Sequence, residues 1–83
     1  MFIVYILYSQ KLDRFYVGYT NQLERRISEH NRKKGKYTDI GIPWIIVYTE
    51  EFDSKKNAKN REKYIKKQKS KQFILDLIFL TTA

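Results

Sequence analysis

YVGYTNQLERRISEHN, residues 16–31, changes its period partway along. Up to Thr20, and with Arg14 and Phe15 before it, aromatic and β-branched residues dominate, as in a strand. From Asn21, a candidate N-cap, Leu23 and Ile27 recur at helical spacing, which predicts a helix to about Lys33. Upstream, FIVYILY (2–8) reads as a first strand, and the polar SQKLD between it and RFYVGYT (14–20) reads as a hairpin. A turn centred between Gln10 and Lys11 sets Tyr5 opposite Tyr16 on one sheet face. Downstream, Gly35, Gly41 and Pro43 punctuate RKKGKYTDIGIP, and WIIVYTE (44–50) is a third strand. Asp53 and Ser54 precede a second helix over about 55–67. Ser70 can cap a third helix to about Leu80, apolar on most sides and therefore expected to close the core. The order ββαβαα predicts an α+β domain whose antiparallel sheet is covered by helices.

A chain of 83 residues has room for one domain, 1–83, with a core within about 1–80. Seventeen Lys and Arg against nine Asp and Glu leave a net charge of +8, which favours an anionic partner, nucleic acid being the commonest. With no cysteine and one histidine, disulfides, thiolate chemistry and a multi-histidine zinc site are excluded. MFIVYILYSQ has neither a basic leader nor a small-residue cleavage site, and FILDLIFL is too short to span a bilayer. The expectation is a soluble, unprocessed, cytoplasmic protein without a membrane partner.

Two features sit badly with a bland domain. On the first helix Arg25 points away from the Leu23–Ile27 stripe, whereas Arg26 and His30, four residues apart, flank it and can converge on one cleft. On the helical wheel alone the favoured reading is an Arg26 that snorkels along the core edge and a half-buried, hydrogen-bonded His30. On the second, Glu62 lies in the apolar stripe of Ala58 and Ile65. A desolvated carboxylate needs a cation, so Glu62 predicts either an ion pair with Arg26 or a nearby lysine, or a metal ion. Two phenols, an arginine, a histidine and a lone acid together suit phosphodiester hydrolysis. Water must be oriented or deprotonated, charge growing on phosphorus must be offset, and a carboxylate must hold a divalent ion.

Tyr5 ends IVY, Tyr16 opens YVG eleven residues later, Arg26 and His30 follow Gly18 by eight and twelve, and Glu62 stands in the helix after the third strand. With Thr20, Trp44 and Ala58 in register, this spacing resembles the GIY-YIG nuclease superfamily. The likeness is strongest to its small stand-alone bacterial members, related to nucleases that cut branched DNA. Ile3 replaces the name-giving glycine, Tyr19 stands where excision-repair relatives carry lysine, and no asparagine follows Glu62 as in several larger relatives.

The resemblance implies a three-stranded antiparallel sheet flanked by helices, with the site on one sheet face. It implies Tyr5, Tyr16, Arg26 and His30 as catalytic residues, Glu62 as the ligand of one Mg²⁺ or Mn²⁺, and Gly18 as structural at the site, where the strand passes into the helix. Either tyrosine is open as general base. Lys33, Lys34 and Lys36 after the first helix, and Lys66, Lys67 and Lys69 at the end of the second, are candidates to guide a nucleic-acid backbone; solvated surface is their competing role. The expected function is metal-dependent endonucleolytic hydrolysis of DNA, branched or repair intermediates included. Specificity is expected from a protein partner, because no DNA-reading module is appended. The alternative is a non-catalytic nucleic-acid-binding module that keeps the nuclease fold.

Overall fold

The structure, a computed structural model, describes residues 1–35 and 37–82. Strands β1 (Phe2–Ser9), β2 (Arg14–Thr20) and β3 (Trp44–Phe52) form one antiparallel sheet in the order β2-β1-β3. Helix α1 (Leu23–His30) follows β2, a 3₁₀ turn (Tyr37–Gly41) precedes β3, and α2 (Lys55–Gln68) and α3 (Lys71–Thr82) follow it. The fold is therefore the expected α+β arrangement of a three-stranded antiparallel sheet flanked by helices.

β1 is central and apolar on both sides. Val4 and Ile6 join Val17, Tyr48, Ala58 and Ile65 in a core beneath α2, against which α3 packs Phe73, Ile74, Leu77 and Ile78. Tyr5 and Leu7 face the other way, with Trp44, under Leu23 and Ile27 of α1. Neither core would be accessible to a strand with one polar face. The third helix covers the larger core as expected, yet it leaves Phe79 and Leu80 at 69% and 78% exposure.

The hairpin register differs from the sequence expectation. Tyr5 lies opposite Gly18 and Leu7 opposite Tyr16, because the loop comprises the four residues Gln10 to Asp13. Asp13 takes a left-handed φ of 50°, and the Leu12 N–H donates to Ser9 Oγ at 3.2 Å. Moving the turn centre by one residue moves each partner by two, so Tyr5 and Tyr16 still share a face. In β3 the register passes from Ile6↔Tyr48 to Leu7↔Ile46, leaving Val47 as a bulge. That extra residue reverses the facing of everything before it. Trp44, four residues from Tyr48, consequently joins the α1 core and not the α2 core.

The helix after β2 is also shorter than predicted. Thr20 Oγ1 accepts the Gln22 N–H at 3.0 Å, so Gln22 and not Asn21 precedes the first turn. Its end comes at His30 and not Lys33, because Asn31 spends its side chain on β3: Nδ2 donates to the Trp44 carbonyl at 2.9 Å, and the Trp44 N–H donates to Oδ1 at 2.6 Å.

The buried Ser9 hydroxyl donates to the Gly41 carbonyl at 2.7 Å while accepting from Leu12, tying the hairpin loop to the segment that enters β3. Gly41 is required there, since a Cβ would stand 2.5 Å from the Trp44 ring. Ser9→Ala strips both groups of this partner and is expected to cost about 1–3 kcal/mol. Thermal denaturation should register it as a fall in Tm of about 4–8 °C per kcal/mol.

Candidate active site

The geometry starts at Gly18. Its backbone leaves room for the Tyr5 ring on the neighbouring strand, and a Cβ there would lie 2.5 Å from the Tyr5 hydroxyl and 2.6 Å from Cζ. Gly18 is thus not the hand-over from strand to helix that the sequence suggested, because β2 continues to Thr20. Its function is to let a tyrosine lie flat across the sheet. Tyr5 is 1% exposed. Tyr16, two residues earlier on β2, is 36% exposed.

Helix α1 carries the next two groups. Arg25 turns to solvent, where its Nε stands 3.6 Å from Glu29 and its Nη1 donates to Gln22 Oε1 at 3.3 Å. One residue on, Arg26 lines the cleft beside Tyr5 and Tyr16. A turn later, His30 places Nε2 3.4 Å from the Tyr5 hydroxyl, with its ring edge-on to Tyr16 at a centroid distance of 4.6 Å. Burial pushes the Tyr5 phenol up to about 12, with the neighbouring Tyr16 adding to it and Arg26 opposing. The same desolvation, then the charges of Arg26 and Lys34, hold His30 below the usual imidazole value. At neutral pH a protonated phenol therefore faces a neutral imidazole.

Glu62 arrives from the other layer. Ser54 caps α2 by accepting the Asn57 N–H at 3.1 Å, and buried Ala58 and Ile65 set the helix's rotation. Arg61 fixes that rotation further: its Nε donates to Glu50 Oε1 at 3.0 Å, Tyr48 donates to the same carboxylate, and the guanidinium lies over the Tyr64 ring. Glu62 then points into the cleft with its side chain 17% exposed, 3.4 Å from Lys66 Nζ. The nearby lysine is its partner among the described residues, and no ion pair with Arg26 forms.

Tyr5, Tyr16, Gly18, Arg26 and Glu62 line one cleft of about 490 Å³, together with Lys55. Sequence reading passed over Lys55, although it precedes Glu62 by seven residues and so shares its helix face. It also passed over Asn31, whose two bonds to Trp44 clamp the end of α1, and with it His30, against β3. Lys34 lines a neighbouring cleft with Arg26 and His30. Exposed Lys33 lies elsewhere, beside Ile40 and Ile42. Lys67 and Lys69 are exposed at the end of α2, where Lys69 adopts a left-handed φ of 47° as the helix cap. Lys36 falls outside the described residues.

Among the described residues no three His, Asp or Glu side chains converge into a metal cage. A lone carboxylate on an open cleft suits an ion such as Mg²⁺, which keeps several waters and binds through one or two carboxylates plus substrate phosphate. Glu62 is the residue that would hold it. No helix is long and apolar enough to cross a membrane among the described residues.

A family model described as the GIY-YIG catalytic domain matches residues 1–74. The chain is 49% identical over 65 residues to a UPF0213 protein of Clostridium perfringens, covering 77% of this chain and 69% of that one. It is 38% identical over 81 residues to a UPF0213 protein of Limosilactobacillus reuteri, covering 90% and 83%. To the UPF0213 protein YazA of Bacillus subtilis it is 38% identical over 69 residues, covering 80% and 70%. No solved structure matches it. With the family model spanning residues 1–74 and relatives of 49% and 38% identity covering 77% and 90% of the chain, the chain belongs to the GIY-YIG catalytic-domain family.

Proposed function

We propose that the protein is a divalent-metal-dependent endonuclease that hydrolyses phosphodiester bonds in DNA. The observation that carries this reading is the meeting of Arg26, Glu62, Tyr5 and Tyr16 in one cleft of a strongly basic chain. Arg26 is exposed enough to contact a phosphate and is positioned to offset the charge that grows on it during attack. Glu62 is the proposed ligand for Mg²⁺ or Mn²⁺, which when bound supplies Lewis-acid polarisation of a phosphate oxygen and a more acidic water. The remaining task, accepting the proton of the attacking water, falls to His30 and not to Tyr5. A buried phenol pushed up to about 12 gives up its proton too reluctantly, whereas a neutral imidazole has a lone pair ready. His30 lines the neighbouring cleft and reaches the one with Glu62 through Nε2, 3.4 Å from the Tyr5 oxygen. The productive tautomer therefore leaves Nε2 bare, and the water's proton reaches it by relay, the Tyr5 hydroxyl taking that proton as it passes its own to Nε2, so that no free phenolate forms. Tyr5 then orients the base, and half-exposed Tyr16 aligns water at the cleft. Lys34 and Lys55, beside the site, supply sequence-independent attraction for the backbone.

Duplex, flap and junction DNA incubated with Mg²⁺ or Mn²⁺ should be cut by the unaltered protein. Glu62→Ala and Arg26→Ala should each lose about 100-fold or more in rate, the scale for removing one electrostatic stabiliser. Chelation with EDTA should abolish cleavage and added metal restore it. Equal cutting by all three proteins would sink the mechanism, and binding without cutting would favour a non-catalytic module.

The pH profile isolates His30. Its protonated form cannot accept a proton, so activity is present above its pKa and is lost as pH falls through it. Because burial, Arg26 and Lys34 lower that pKa, the acid limb should lie below the ordinary value of about 6.5. His30→Gln should lower the rate and flatten that limb. A limb unchanged in His30→Gln assigns the base elsewhere.

A further inference from the structure

Tyr16 and Arg26 form a ridge between two clefts. On one side lies the cleft with Glu62, and on the other a second of about 330 Å³, walled by Glu29 and His30 from α1 and by Lys34 and Asp39 from the segment beyond it. The nuclease reading gives Arg26 a phosphate to hold, and a strand crossing the ridge must then place a neighbouring nucleotide in the second cleft. We propose, resting on that reading, that this cleft receives an unpaired guanine base of the bound strand.

The walls have the chemistry of a base site. Tyr16 is 36% exposed and its ring is held in orientation by a T-shaped contact with His30, centroids 4.6 Å apart at 63°; a partly exposed aromatic side chain is where an unstacked base settles. The volume is at the low end of small-ligand sites, room for one base and not for a base pair. At the rim, the Glu29 carboxylate is 38% exposed, and the guanidinium of Arg25 comes no closer than 3.6 Å, so its oxygens remain open to a stronger donor. A carboxylate with two such oxygens matches the adjacent N1–H and N2–H of guanine. Adenine and cytosine each present one amine, and thymine one ring N–H. Lys34 contributes the opposite polarity, a cation for the guanine O6 and N7 acceptors. The loop that carries it is built, since Asp39 Oδ2 accepts from the backbone N–H groups of Lys34 and Gly35 at 2.8 and 2.7 Å.

The test reads binding without cleavage. A fluorescently labelled short thymidine strand carrying one central guanine is titrated with protein in EDTA and followed by anisotropy. The comparison strands are all thymidine, or carry inosine, which lacks the N2 amine, in place of guanine. The guanine strand should bind about fivefold or more tightly than the all-thymidine strand, with inosine losing most of that gain. In Glu29→Met the guanine-to-thymine ratio should fall to about one, whatever the overall change from deleting a negative charge. Glu29→Gln, which keeps one acceptor, should retain part of it. Equal affinity for guanine and thymine strands, a preference that survives Glu29→Met, or no binding of any strand overturns the proposal. Guanine preference in a protein that never cuts DNA leaves the base site standing and removes the nuclease reading; cutting without base preference does the reverse.

Discussion

The double burial of β1 organises this molecule. A central strand with Val4 and Ile6 on one face and Tyr5 and Leu7 on the other must be covered twice, and the rest of the chain is arranged to do so. Each large aliphatic side chain so buried is worth about 1.5–3 kcal/mol, a substantial part of the margin of a chain this small. Covering the Tyr5 face with α1 brings Arg26 and His30 over the sheet. Covering the opposite face with α2 brings Glu62 to its edge. Two layers needed for stability thereby supply the two halves of the cleft.

The same burial sets the electrostatics. Removing the Tyr5 phenol from water raises its pKa, and partial removal of His30 lowers that of the imidazole, so both shifts favour uncharged forms. Arg26 acts on the two groups in opposite senses. Its charge disfavours an imidazolium and would favour a phenolate, but desolvation outweighs it at Tyr5. The outcome is a neutral hydrogen-bonded pair beside a cation, with Glu62 the one carboxylate among the described residues lining the cleft that Tyr5 and Arg26 share. Rigid polar clamps keep these groups in register: Asn31 on the Trp44 backbone for α1, and Arg61 on Glu50 for α2.

Much of this arrangement was legible in the chain. The β-branched and aromatic content of FIVYILY and RFYVGYT, the helical recurrence of Leu23 and Ile27, and the Ser54 and Ser70 caps are local signals, and each is reproduced in the strands and helices. The placement of Glu62 within the Ala58–Ile65 stripe likewise followed from helical periodicity. The register of the hairpin did not, because it depends on the four-residue loop stabilised by Ser9 and by the left-handed Asp13. Gly18 carried no local mark of its role, since the residue it makes room for is thirteen positions away.

The sequence by itself determined the order and type of the elements, the basic surface, and which side chains on each helix face inward, because propensity and periodicity act between near neighbours. Only the tertiary structure decided what those side chains meet. The Val47 bulge turns Trp44 to the α1 face, the Thr20 and Asn31 side chains shorten α1, and Lys66, not Arg26, pairs with Glu62. It also brought Lys55 and Glu29 to the two clefts that share Tyr16 and Arg26. The placements of Trp44, Asn31, Lys55 and Glu29 join segments far apart in the chain, and packing, desolvation and bulge geometry select them in ways no local pattern encodes. The Thr20 cap and the i, i+4 pair of Glu62 and Lys66, by contrast, are local contacts that packing selects among alternatives.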